Sequence, residues 1–159
     1  MIIQAEISIA ADRQLVFDAL ADPATWFAID PTLIDATPRT PLTLGATGTM
    51  RNRRGPGMTA TVSWRTTELE PGARLTQYLV GMGDELGETV ELASDGAGTH
   101  LTVVDTLVPT SIVGRLMVAF SRGIMERDAQ ARCTKFKALL EAGQHGSQAA
   151  TSGTGEGVR

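Results

Sequence analysis

The sequence predicts an α+β domain in which a curved antiparallel sheet packs against one long C-terminal helix. Three observations carry that prediction. Residues 58 to 65 alternate strictly, with Met58, Ala60, Val62 and Trp64 set against Thr59, Thr61, Ser63 and Arg65, which is the two-residue period of a strand with one buried face. From Thr47 to Pro109 the chain is rich in Thr and Val and broken by the turn signals RRGPG, EPGA, GMGDELG and SDGAG, the spacing of an antiparallel meander of about five strands. Residues 112 to 142 then hold a sustained helical pattern. At about 1.5 Å per residue it runs on the order of 46 Å, against an expected radius of gyration of about 15 Å, so such a helix crosses the whole domain.

Each element has its own local reason. Ile3, Ala5, Ile7 and Ile9 fall on one side of a first strand, Ile3 to Ile9. Asp12 is placed to cap a short helix whose Leu15, Val16, Ala19 and Leu20 recur at helical spacing until Pro23 forbids continuation. A second short helix is expected near Thr25 to Ile29, before an irregular connection broken by Pro31, Pro38 and Pro41. Within the meander, Leu69 has the opposite parity to Trp64, so either a bulge near Thr66 and Thr67 resets the strand or Leu69 lies outside the core. Pro71 and Gly72 fit the two central positions of a type II turn, the second of which needs positive φ. Beyond that turn Leu69 pairs with Leu75 or Arg74, which leaves the register of Gln77 and Tyr78 open. On the long helix, Val113, Leu116, Met117, Phe120, Ile124, Ala131 and Ala138 form one apolar stripe, read as the core face. Val118, Met125, Phe136 and Leu139 form an offset second arc that either covers the segment around residues 26 to 44 or makes a homodimer face, intramolecular cover being the simpler reading. The end, GQHGSQAATSGTGEGVR, offers little to bury, so residues 143–159 are expected to be a disordered tail behind one domain of residues 1–142.

Composition narrows the function classes. An apolar content of 42% suits a single core-bearing domain. The net charge is −4 and the arginines are scattered, so nucleic acid is not an expected partner. No stretch is apolar enough to span a bilayer and the N-terminus lacks a basic-then-apolar leader, which makes integral membrane association unexpected. Cys133 is the only cysteine, so neither a disulfide framework nor a Cys/His metal cluster is available; a cytoplasmic setting without metal or cofactor is expected. His100 opens a strand and His145 lies near the end, neither placed to activate Cys133 or a serine. Gly81, Gly83 and Gly87 lack the spacing of a phosphate loop.

The order strand, two short helices, strands, long helix resembles the START-like, or SRPBCC, helix-grip superfamily, which takes in polyketide cyclase/dehydrase and lipid-transport, birch-pollen-allergen-like and coenzyme-Q-binding proteins. The carrying stretches are AEISIAADRQLVFDALADPATW, WRTTELEPGARL, GTHLTVVDTL and the terminal KFKALLEAG, together spanning roughly residues 3 to 142. The resemblance implies a helix-grip fold: a curved antiparallel sheet wrapped around the C-terminal helix with a cavity between them. It carries no invariant catalytic motif, and a function taken from a fold is analogy.

Candidate site residues follow from which side chains face that space. Trp26, Phe27, Val62, Trp64, Tyr78, Met82, Val103, Asp105, Met117 and Phe120 are candidate ligand-binding residues, most of them broad apolar walls; for each, plain core packing is the alternative. Trp26 and Phe27 stand where a cover for the cavity mouth is expected. Leu101, Val103, Asp105 and Leu107 share one face of a strand, so Asp105 points inward among aliphatics, as an acid/base or ligand-orienting group. The alternatives are an outward Asp105, with Val104, Thr106 and Val108 inside, or an Asp105 neutralised by Arg115. Tyr78 is the second candidate catalytic residue. Arg51, Arg53 and Arg54 can bind an anionic head group, though a solvated hairpin tip is the simpler reading.

Three functions of different class fit: a non-catalytic binder of a hydrophobic small molecule such as a lipid, quinone or polyketide; a polyketide cyclase or dehydratase using Asp105, Tyr78 or an Arg; and a protein-interaction module with a filled interior. A large pocket with two or more convergent polar groups favours the enzyme, a purely apolar pocket favours the binder, and no pocket favours the module.

Overall fold

The computed structural model describes residues 1–81, 84–110 and 112–152, without the side chains of 112–114, 116–119 and 144–152. The elements are β1 (Ile2–Ile9), α1 (Arg13–Leu20), α2 (Pro23–Ile29), β2 (Leu33–Thr37), β3 (Thr47–Gly55), β4 (Met58–Glu70), β5 (Arg74–Gly81), β6 (Asp84–Asp95), β7 (Gly98–Pro109) and α3 (Ile112–Ser152). The strands form one seven-stranded sheet in the order β1-β7-β6-β5-β4-β3-β2, with antiparallel pairing throughout. This is the helix-grip fold, a curved sheet closed over by the long C-terminal helix.

The two short helices owe their starts to aspartates. Asp12 accepts from the Gln14 N–H at 2.8 Å and Asp22 from the Ala24 N–H at 2.9 Å, each satisfying an amide that a helix start leaves without an intrahelical partner. Pro23 therefore opens the second helix as well as ending the first. The irregular connection expected after it holds β2, which pairs only with β3 at the edge of the sheet.

The EPGA turn forms as its residues require. Gly72 has φ +68° and the Ala73 N–H donates to the Glu70 carbonyl at 2.9 Å. The register of β4 against β5 shifts between Thr66 and Glu68, so a bulge at Thr67 lets Trp64, Thr66 and Leu69 all face the core side. Leu69 then pairs with Leu75. Met58, expected inward by alternation, is 62% exposed because it sits at the β3–β4 hairpin tip, where the sheet has no cover.

Helix α3 lies chiefly along β1 and also touches β7 and α2. Lys137 donates to the Ser8 carbonyl, Gln130 to the Glu6 carbonyl, and the Ala10 N–H to Glu141. The buried face of α3 is Ala129, Cys133 and Phe136, flanked by half-buried Met125 and Leu140. This corrects the expected stripe: Phe120 is 87% and Ile124 55% exposed, and Ala131 and Ala138 point to solvent with them. The helix carries two apolar arcs, and the one richer in large residues near its start is not the one that meets β1. The helix also runs on to Ser152, where composition placed a disordered tail from residue 143; the Gln, Ala and Ser of that stretch continue a helix once it is nucleated. Residues 153–159 lie outside the described residues.

Candidate functional site

The register of the sheet builds the site. Thr66 pairs with Gln77, Gln77 with Glu88, Glu88 with Asp105, and Asp105 with Ile3. Because partners in adjacent antiparallel strands point to the same face, four polar side chains form one row across the inner, helix-covered face. On one side of this row lie Leu69, Leu75, Val90, Val103 and Ala5, paired in sequence across the strands. On the other lie Trp64, Leu79, Leu86 and Leu107. The inner face is thus an apolar surface with one polar stripe through it.

Three of its four members are buried, Glu88 being half-buried, and the stripe is incompletely satisfied. Thr66 is 0%, Asp105 4% and Gln77 5% exposed, and Trp64 beside them 2%. Trp64 Nε1, Thr66 Oγ1, Gln77 Nε2 and Asp105 Oδ1 are shielded from solvent and have no hydrogen-bond partner among the described residues. Such a group costs about 1–3 kcal/mol when left unmet.

Asp105 points inward, as its position in LTVVDTLVP predicts, and Thr106 and Val108 point out. Its partner is Arg132 on α3, not Arg115, which is exposed. Arg132 Nη2 donates to Asp105 Oδ2 at 3.3 Å, and Arg132 Nη1 stands 3.9 Å from Glu88 Oε2. One guanidinium therefore faces two carboxylates. Burial, and next the Glu88 charge, push the Asp105 carboxyl up to about 7 against the opposing pull of Arg132. A carboxyl in that state exchanges a proton near neutral pH. Cys133 is buried nearby, and burial pushes its thiol up, away from nucleophilic use.

The remaining candidates divide. Val62, Trp64 and Val103 are on the inner face. Trp26 packs edge-on against Trp64, ring centroids 5.8 Å apart, with its indole N–H given to the Leu20 carbonyl at 3.1 Å. Phe27 turns the other way and lies under the Arg39 guanidinium, 5.2 Å from the ring centre. Tyr78 does not face inward: it pairs with Arg65 on the outer face, is 39% exposed, and its hydroxyl is raised by a hydrogen bond to Glu85. Phe120 is exposed, as described above. Met82 and the Met117 side chain lie outside the described residues.

Thr66, Gln77, Glu88 and Arg132 were not singled out in the sequence. The signal for the first three was present: once the bulge sits at Thr67 and Leu69 pairs with Leu75, inward parity follows for all three. Among the described residues, two shallow grooves of about 440 and 290 Å³ lie on the outer face, the first beside Trp64, Tyr78 and Val80 and the second beside Arg74 and His100, and neither is the cavity expected between sheet and helix. Neither touches the polar stripe. Among the described residues no group of His, Cys, Asp and Glu has metal-binding geometry, and no helix is long and apolar enough to cross a membrane.

The fold recurs in solved structures. TTHA0849 from Thermus thermophilus aligns over 90% of this chain and 99% of its own, with a TM-score of 0.74 at 15% identity. Ara h 8.0201 aligns over 89% and 98%, with a TM-score of 0.65 at 10% identity. DynU16, a putative protein in the dynemicin biosynthetic locus, aligns over 89% of this chain and 48% of its own, with a TM-score of 0.65 at 20% identity. At such identities these likenesses establish the fold alone. No functionally curated protein matches the chain in sequence. The family model described as polyketide cyclase / dehydrase and lipid transport, a family of hydrophobic-ligand handlers, matches residues 2–141, nearly the whole described domain, and this chain belongs to that family.

Proposed function

We propose that the protein binds a hydrophobic small molecule, of lipid, quinone or polyketide type, between the inner face of the sheet and α3. The observation that carries this reading is the inner face itself: two apolar rows flanking a buried polar row whose Thr66, Gln77 and Asp105 atoms lack partners. Apolar area supplies affinity for such a ligand and a few polar groups fix its orientation. The polar atoms are closed off from solvent, so entry requires the elements packed over the inner face to part, and association falls below the diffusion limit. Homodimerisation is not needed for the site, since every group named comes from one chain. A cytoplasmic setting belongs to the same proposal and is supported by the free, buried Cys133 thiol. Two measurements test the binding: native mass spectrometry of gently purified protein, where a molecule removable by organic extraction is expected, and uptake of the neutral fluorescent probe N-phenyl-1-naphthylamine, expected to saturate at one per chain. Bare protein mass together with no saturable uptake overturns the reading.

A second reading, a cyclase- or dehydratase-type enzyme, is favoured by one observation: Asp105 is a buried carboxyl near neutrality with its Oδ1 unengaged. Removing a proton next to a ketone is the first step of an aldol-type ring closure, and Asp105 is the group able to take it. Hydrogen–deuterium exchange next to the carbonyl of 5-nonanone tests this. Exchange faster with the protein than without it, and lost in Asp105→Asn, supports catalysis; exchange at the solvent rate rejects it.

A further inference from the structure

Resting on the hydrophobic-ligand reading, we propose that the ligand carries a neutral hydrogen-bond-accepting oxygen near the middle of an otherwise apolar body, a mid-chain or ring ketone being the simplest class. Four side chains supply the argument. Trp64 Nε1 and Gln77 Nε2 only donate, Thr66 Oγ1 donates or accepts, and Asp105 Oδ1 donates once its carboxyl is protonated. All four atoms are without partners among the described residues and belong to residues at most 5% exposed. Their exposed area is near zero, so bulk solvent does not reach them. The unmet demand is for acceptors; Thr66 and Gln77, paired on neighbouring strands, can share one carbonyl oxygen, which offers two lone pairs, whereas Asp105 lies two strands further on.

Position and charge restrict the class further. The polar row lies between two apolar rows, two residues away along each strand on either side except at the β4 bulge, where Leu69 is three residues from Thr66, or about 7 Å at strand spacing. A ligand lying across all three rows meets the donors at its centre. An anionic head group is disfavoured at the same place, because Glu88 and Asp105 already share the one guanidinium of Arg132. A fatty-acid carboxylate would bring a further negative charge beside Glu88.

The two tryptophans of the chain, Trp26 and Trp64, both stand at this site, and they differ in a useful way. The Trp26 indole N–H is engaged by Leu20, whereas that of Trp64 is not. Binding of 5-nonanone, 2-nonanone and nonanoate is followed by fluorescence and by the two indole N–H signals in a ¹H–¹⁵N spectrum, assigned with Trp26→Phe. The central ketone is expected to bind about tenfold more tightly than its isomer, the difference of one good hydrogen bond, with nonanoate weakest at pH 8. The Trp64 signal moves downfield on binding while that of Trp26 stays. Thr66→Val and Gln77→Leu each bring the affinity for 5-nonanone down to that for 2-nonanone; should either fail to fold, the isomer comparison on the unmodified chain decides. Equal affinity for the two ketones with an unmoved Trp64 signal overturns this inference and leaves hydrophobic binding standing. No saturable binding of any of the three, together with no uptake of N-phenyl-1-naphthylamine, removes both.

Discussion

Replacing Asp105 by Asn should stabilise the fold at alkaline pH and leave it nearly unchanged at acid pH. The carboxyl is 4% exposed and raised to about 7 in the folded chain, from an ordinary value of 3.8. A group whose folded value is raised binds more protons folded than unfolded between those limits, so stability falls as pH climbs through that window. The gap of about 3 units corresponds to about 4 kcal/mol at 1.36 kcal/mol per unit, fully expressed above pH 7 and absent below pH 4. Asn keeps the shape and does not ionise. Arg132, whose side chain is 40% exposed, retains Glu88 at 3.9 Å and access to water after the substitution. It therefore adds at most about 1 kcal/mol of opposing loss.

Urea denaturation of both proteins at pH 5, 6, 7 and 8, followed by far-ultraviolet circular dichroism, measures the difference directly, and contributions common to both cancel. The difference should grow by up to about 1.4 kcal/mol per pH unit to a plateau of a few kcal/mol above pH 7. Glu88→Gln removes the second-largest cause of the raised Asp105 value, so in that background the rise should level off at lower pH and at a smaller plateau. A difference that stays flat with pH refutes the reasoning. So does an Asn variant that is less stable at pH 8, since Asp105 would then be ionised and held by Arg132 at a net gain.

Three further outcomes are expected. Phe136→Ala should destabilise by about 3–5 kcal/mol, the cost of emptying a buried aromatic position, because Phe136 is 1% exposed; chemical denaturation reads it. Phe120→Ala, at 87% exposure, should change stability by less than about 0.5 kcal/mol and leave probe uptake unaltered, and a change in either places that side chain against a partner. Gly48→Ala should lower the thermal midpoint and disturb tryptophan fluorescence, because an added Cβ collides with the Thr37 carbonyl oxygen and the Trp64 ring; an unshifted midpoint would show that β2 and β3 give way freely.

The order of elements along the chain and the hairpins were legible because their signals are local. Alternation in 58–65, the Pro71–Gly72 turn and the Asp12 cap each depend on residues within a few positions of one another, and each appears in the fold. What was not legible depends on longer range. The inward or outward sense of Tyr78 rests on where one extra residue is inserted in β4, and a slip of one residue inverts it. The core face of α3 rests on which arc meets β1, a contact between opposite ends of the chain that helical period alone does not rank. The pairing of Asp105 with Arg132 spans 27 positions and has no periodic signature at all. β2 was hidden by its setting: a short strand between prolines reads as loop, and only its place at the sheet edge, with one paired side, tolerates such flanks.

The same extra residue gives the inner face the polar row on which the proposed site rests. Without the Thr67 bulge, a strand that buries Trp64 and Thr66 also buries Glu68 and exposes Leu69. With it, Glu68 turns out to pair with Arg74 at 3.1 Å, Leu69 turns in, and the row from Thr66 to Asp105 is framed by hydrocarbon on both sides. A sequence selected for stability alone has no reason to place Thr, Gln, Glu and Asp in register across the buried face of a sheet, since apolar residues of similar volume there are neutral or better. Under the proposed function, the cost is borne by the resting fold and recovered when a ligand meets those groups. The bulge, the register and the unmet donors are therefore one arrangement, and any ligand assigned to this protein has to account for the polar row as well as for the apolar walls.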